Sequence, residues 1–287
     1  MISAHQLLER LQKNVGVPWQ SQRADGFSDG VLQGNAETTV TGIVTTFTPT
    51  LEVLRKTVAS GKNTVICREA PFYSRGERAP LFWRNGPALS KELVENDAVC
   101  RAKQEFIAQN NVVILRLCEN WDARENDGQL RGLVRALGWE RFHVNSKKGS
   151  PEYHPHNVYF SLPNTSLNSL AQSVREKLKI QCPRVIGDPS SSVQKVALTH
   201  GVLLVAEAER ILREPVDVVI AGDAVEWEAA PYFEDLVTAR KAKGLVLIGH
   251  QASEEPGCGV MAEWLKSFIS EVPIEWIPAG EPFWRLS

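Results

Sequence analysis

Two hydrophobic periods alternate along the chain. The opening "MISAHQLLERLQKNVGVPW" has apolar residues at helical spacing over residues 3–14 and reads as an amphipathic helix. "TTVTGIVTTF" is rich in β-branched residues and reads as a strand. "PTLEVLRKTVASGK" puts Leu51, Leu54 and Val58 on one helical face, with Gly61 past its end. "NTVIC" is the next predicted strand, followed by a Pro- and Arg-bearing loop over 70–90. Residues 90–111 predict a helix with Val94, Ala98, Ala102 and Phe106 in one row. "VVILRL" predicts a short buried strand, and "DGQLRGLVRALGW" a helix carrying Leu130, Leu133, Val134 and Leu137.

A polar joint, "NSKKGSPEYHPH", covers residues 145–156. Beyond it the alternation resumes. "NVYFSLP", "PRVIGD", "VQKVAL", "VDVVIAG", "GLVLIG" and "IEWIP" read as strands. "SLNSLAQSVREKLKI", "VLLVAEAERILREP", "WEAAPYFEDLVTARKAK" and "EPGCGVMAEWLKSFI" read as helices. Such alternation predicts an α/β protein with mixed, mainly parallel sheets flanked by helices. The joint predicts two α/β lobes, 1–148 and 149–287, with the C-terminal segment free to pack back on the first.

Composition narrows the partners. With 287 residues, 43% hydrophobic and 23% charged, the chain reads as an ordinary globular protein. A net charge of −2 without a basic stripe argues against nucleic acid and against a membrane surface. The N-terminus lacks the apolar core of a signal peptide, and no run approaches a membrane span. Cys67, Cys100, Cys118, Cys182 and Cys258 are odd in number and spread out, which suits a reducing cytoplasm and no disulfide framework. No CxxC, Walker, GxGxxG, GxSxG or HExxH motif occurs.

Ligands of open α/β sheets bind beyond the carboxyl ends of the strands, so the residues that follow each apolar run are the candidates. Arg68 and Glu69 follow "NTVIC"; Cys118, Glu119 and Asp122 follow "VVILRL". Asp223 and Glu226 follow "VDVVIAG"; His250 and Glu254 follow "GLVLIG". Each has a plain structural explanation when taken alone. Arg68-Glu69 can be a sheet-edge salt bridge, Asp122 a turn residue, Asp223 a helix cap, and Ser253 a cap beside a loop-bonded His250. Cys67 reads as a small buried strand residue, and His154 and His156 as exposed or capping residues.

Four blocks nevertheless keep a specific order and spacing: "VTGIVTTFTPTLEVLRKTVASGKNTVICREAPFY", "CENWDARENDGQLRGLVRALGW", "VIAGDAVEWEAAPYFEDL" and "GLVLIGHQASEEPGCGVMAEWL". Over nearly its whole length the chain resembles the Nif-three-like family, whose bacterial members are often labelled GTP cyclohydrolase 1 type 2 homologues. The resemblance implies a two-lobed α/β fold, a ring-shaped homohexamer and a dinuclear metal site between the lobes. It implies Glu69, Cys118, Asp122, His250 and Glu254 at the metal-ligand positions. Asp122, His250 and Glu254 match the family pattern. Glu69 stands at the second position of the family's His-His pair, and Cys118 stands where a His is usual. Arg68 occupies the first position of that pair and cannot coordinate, because guanidinium stays protonated.

Two expectations follow from the resemblance. In the first, one or two divalent ions (zinc, iron or manganese) supply hydroxide for hydrolysis of a small anionic, nucleotide-like substrate. Arg68 then binds a phosphate or oxyanion and Asp223 shuttles a proton. In the second, the metal site is degenerate, with or without a bound ion, and the protein is a non-catalytic, metal- or metabolite-binding oligomeric scaffold or regulatory protein.

Overall fold

The computed structural model describes residues 1–20, 29–73, 96–125, 127–144 and 157–284. The polar joint, with His154 and His156, and most of the 70–90 loop lie outside the described residues. The chain forms two compact units, Met1–Gly128 with Cys258–Ala279, and Gln129–Gly257 with Gly280–Ser287.

In the first unit, α1 (Ala4–Asn14) begins at Ser3, whose hydroxyl accepts from the Gln6 N–H while the Gln6 side chain accepts from the Ser3 N–H. This capping box fixes the helix start, and Ala4, Leu7 and Leu11 bury the apolar face. The strands are β1 (Gly30–Gln33), β2 (Ile43–Thr46), β3 (Thr64–Cys67) and β4 (Val113–Arg116), with α2 (Leu51–Ala59) after β2. They form one sheet in the order β1-β4-β3-β2, completed beside β2 by the C-terminal strand Ile274–Trp276. All pairings are parallel except β1 with β4. Every residue of β2, β3 and β4 is buried, which is why these strands read as continuous apolar runs. The predicted strand over 38–47 is shorter in the structure, and β1 lacks the apolar alternation that would have marked it.

Helix α3 (Ala98–Gln109), capped by Asp97, corrects one expectation. Its buried face is Cys100, Lys103 and Ile107, and Ala98 and Ala102 face solvent. The reason is Lys103, which is 1% exposed. Its Nζ donates to the Pro71 carbonyl at 2.5 Å and lies over the Tyr73 and Phe72 rings, 5.0 and 5.8 Å from their centroids. Burial pulls its pKa from 10.5 down to about 8, against the opposing pull of the Cys67 and Cys100 thiols.

A pH test follows. Below about pH 8 both native and unfolded chains hold the Lys103 proton, and the native state carries the full cost of a buried ammonium. Above it the native state releases the proton before the unfolded state does. Relative to a Lys103→Met variant, the wild type should therefore gain up to ~1.4 kcal/mol of stability per pH unit. Cys67, pushed up to about 12 by burial, acts in the opposite sense above pH 9 but is common to both proteins. Urea unfolding at pH 7 and pH 9 reads the difference. A gap that does not move with pH would show that Lys103 is not desolvated.

In the second unit, α5 (Gly128–Leu137) follows the single turn α4 (Glu119–Asp122) of the first. The sequence reading assigns this helix to the first lobe. In the structure Leu130, Leu133 and Leu137 pack with Phe160, Leu167 and Leu170 in the core of the second unit. The six-stranded sheet comprises β5 (His143–Val144), β6 (Asn157–Ser166), β7 (Arg184–Gly187), β8 (Ser192–Thr199), β10 (Val218–Ala221) and β12 (Gly244–Leu247). Its order is β5-β6-β8-β10-β12-β7. Only β8, β10 and β12 are mutually parallel. Between β6 and β7 lies α6 (Leu167–Leu178), capped by Ser166. The predicted helix over 202–215 opens instead as a short strand, β9 (Val202–Leu203), paired with β11 (Asp223–Ala224), and only then becomes α7 (Val205–Ile211).

Helix α8 (Glu226–Thr238) joins β11 to β12, and α9 (His250–Lys266) follows β12. A Cβ on Gly132 of α5 would stand 2.4 Å from the Gly257 nitrogen of α9, so the two helices cross at backbone contact. Among the described residues, no helix is long and apolar enough to cross a membrane.

Candidate functional site

Strand register brings the first set of candidates together. Cys67 pairs with Arg116, so β3 and β4 end side by side and the residues that follow them share one edge. Leu117 N donates to Cys67 O at 2.9 Å, and Arg68 N to Phe47 O at 3.1 Å, which carries the ladder one residue further. From there Arg68 reaches Asp122 in α4. Nη1 donates to Oδ1 at 2.7 Å and Nη2 to Oδ2 at 2.9 Å, a forked pair. Arg68 is 3% exposed, and the Asp122 side chain 26%. Glu69, half-buried, is tied by its N–H to Phe47 O at 2.9 Å. Cys118 is buried between these groups. Burial holds its thiol well above the usual range, although the Arg68 charge works the other way.

A second buried knot supports this edge. The Asp29 carboxylate accepts from the N–H groups of Cys118 and Asn120, from the Asn120 amide and from Arg116, at 2.9, 2.9, 2.9 and 3.2 Å. Arg116 also forks onto Glu119, and its Nε donates to the Arg68 carbonyl at 2.7 Å. Burial raises the Asp29 carboxyl above its ordinary range. For Glu119 burial acts in the same direction, but Arg116 outweighs it and holds the carboxyl below the usual value. The sequence offered no signal for Asp29, because residues 20–37 show neither apolar period.

The second unit has its own set. β8, β10 and β12 run in parallel register, Leu198 opposite Ile220 and Ala221 opposite Leu247. Their carboxyl ends therefore present His200, Asp223 and His250 on one edge. Helix α9 begins at His250 itself, one turn before the predicted start, and this places Glu254 on the same helical face. His200 Nδ1 is 2.9 Å from Glu254 Oε1, and His250 Nδ1 is 3.3 Å from Asp223 Oδ2. His250 Nε2 stands 3.7 Å from the other Glu254 oxygen. Imidazoles and carboxylates thus alternate in a row that can hold and orient protons. Ser253 is not a helix cap: its hydroxyl accepts from Gly201 N at 2.9 Å and donates to His250 O at 2.6 Å. Gly201 has φ +68°, and a Cβ there would lie 3.1 Å from Glu254 Oε1, so this close approach suits glycine.

His200 was missed from sequence, although the reading of strand ends would have found it directly after "VALT". Asp223 Oδ1 is buried and has no hydrogen-bond partner among the described residues.

Within each unit, the described donors do not make up the two-metal centre that the resemblance implies. Asp122 has both oxygens committed to Arg68. Among the described residues, no three His, Cys, Asp or Glu side chains are grouped to hold a metal ion.

Known proteins place the chain. It is 23% identical over 256 residues to a protein of Clostridium acetobutylicum named "GTP cyclohydrolase 1 type 2 homolog", a match covering 88% of this chain and 87% of that one. The crystal structure of Staphylococcus aureus protein SA1388 superposes with a TM-score of 0.69 at 17% identity, covering 99% of each chain. A Bacillus cereus protein related to NIF3 superposes with the same TM-score, 0.69, at 13% identity, covering 100% of this chain and 99% of that one. At such identities these two structures speak for the fold. The family profile described as Duf34/NIF3 (NGG1p interacting factor 3) matches residues 5–279, and this chain belongs to that family.

Proposed function

We propose that this chain is a ligand-binding member of the Duf34/NIF3 family, in which Arg68 stands where the family resemblance implies a metal ion. The forked contact carries this reading. Both Asp122 oxygens accept from Arg68, at 2.7 and 2.9 Å. The guanidinium is a permanent, buried charge, and a divalent ion brought to the same oxygens would meet it at contact distance in a poorly screened pocket. The assigned ligand is a small anion, and the assigned assembly is a cytoplasmic homo-oligomer, a hexamer by resemblance. Five free cysteines support a reducing compartment.

Elemental analysis after incubation with zinc, iron and manganese tests the proposal. The wild type is expected to retain no metal at Asp122, and Arg68→His, which restores the family's residue, to retain at least one ion more per chain. Two tightly held ions in the wild type would overturn it.

One observation favours hydrolysis as a second reading. The Asp223–His250 pair, with the buried Asp223 Oδ1 beside it, has the make-up of a base held by a carboxylate. The substrate assigned on this reading is a nucleotide such as GTP, by analogy with the relative's name. Incubation with GTP, with and without Zn²⁺, separates the two readings. Turnover that disappears in His250→Ala supports the hydrolase, and its absence in the wild type supports the binding protein.

A further inference from the structure

The candidate residues of the second unit sit at the carboxyl ends of β8, β10 and β12. The amino ends of the same strands carry a separate feature, a groove of about 580 Å³. With strands of this length rising about 3.3 Å per residue, it lies more than ~10 Å from His200, Asp223 and His250. We propose that this groove is a binding site for a small polyanion, a ligand with two or more negative charges carried on phosphate or carboxylate groups.

Charge carries the argument. Four cations line the groove, Lys195, Arg213, Lys241 and Lys243, against two carboxylates, Glu214 and Asp217. The Asp217 carboxylate is fully committed. It accepts from Gln194 N and Lys195 N at 2.9 Å each and pairs with Lys243 at 2.8 Å. Lys243 also donates to Ser192 O at 2.6 Å. Arg213 is engaged by Glu209 of its own helix end, outside the groove, at 3.0 Å. Lys195 and Lys241 have no ion-pair partner among the described residues, and only Glu214 remains to offset them. A cationic excess thus persists in a chain whose net charge is −2.

The rest of the lining suits the same ligand. Asn164 Oδ1 accepts from the Ser192 hydroxyl at 2.6 Å, which leaves the amide N–H groups of Asn164 to donate. Leu212, Pro215 and Val216 supply the apolar part. Lys195 lies within β8, and Asp217 and Lys243 directly precede β10 and β12, so these side chains stand on rigid supports. The volume lies within the range of small-molecule sites, about 300–1,000 Å³. The inference is independent of the reading of Arg68, because it concerns neither that unit nor that end of the sheet.

Calorimetric titration with pyrophosphate and with citrate tests it on three proteins: wild type, Lys195→Gln/Lys241→Gln, and His250→Ala. All three substitutions replace partly or fully exposed side chains, so folding is preserved. The wild type and His250→Ala should bind at least one of the two anions equally well, more weakly as salt is raised. The double variant should bind it about tenfold or more weakly. Preference for pyrophosphate over citrate assigns a phosphate ligand, and the reverse a polycarboxylate. Failure of both anions to bind the wild type at ~10 mM, well above the millimolar range of weak sites, overturns the proposal. So does equal binding by the double variant.

Discussion

Arg68→Ala is expected to lower the unfolding free energy by about 3 kcal/mol, toward the lower end of the cost of breaking a buried ion pair. The lower end applies because the partner is not sealed in. Asp122 keeps 26% side-chain exposure and can recover part of its hydration, whereas Arg68, at 3%, cannot. What is lost is two charge-assisted hydrogen bonds at 2.7 and 2.9 Å and the packing of the guanidinium stem. The backbone of residue 68 should stay in place, held by Phe47 O and by Arg116 Nε. A double-mutant cycle with Asp122→Ala, read by urea unfolding, isolates the pair. The double variant should lose less than the sum of the single variants, because it leaves no orphaned charge. A single variant with the wild-type midpoint would show that Arg68 does not stabilise this edge, and the reading of Arg68 as a built-in cation would fall with it.

The largest loss is expected at Asp29. Asp29→Ala should cost about 4 kcal/mol, since it leaves buried donors and a buried guanidinium short of partners. The Asp29 side chain has no solvent exposure, and the N–H groups of Cys118 and Asn120 have no water to turn to once it is gone. Arg116 keeps its fork on Glu119, which limits the damage. The effect should reach the candidate site as well. Arg116 donates to the Arg68 carbonyl, Cys118 precedes the turn that carries Asp122, and Asn120 lies within it. Amide exchange in residues 117–122 should therefore speed up in the Asp29 variant, and a loss of under ~1 kcal/mol would mark the knot as dispensable.

Much of the fold could be read from periodicity, because a buried parallel strand and an amphipathic helix each leave a local trace. The apolar runs at 64–67, 113–116, 218–221 and 244–247 are strands, and the helical spacing over 3–14 is α1, Ala4–Asn14. Polar burial left no such trace. Lys103 turns the face of α3 by one position, since its amine finds a carbonyl and two rings supplied from residues 71–73. The start of α9 moved to His250 because Ser253 bonds Gly201, more than fifty residues away in sequence.

The candidate chemistry divides in the same way. The sequence by itself determined the residue types at the strand ends, the family to which their spacing belongs, and the presence of a cation where the resemblance implies an imidazole. Only the tertiary structure decided what those residues do to one another. Arg68 neutralises Asp122 across 54 positions of chain, and His200 joins Glu254 across the same separation. A carboxylate in the sequence is equally a ligand, a cap or half of an ion pair. Which of these it becomes depends on the charge that parallel register brings within 3 Å of it, and no local pattern of apolar and polar residues records that neighbour.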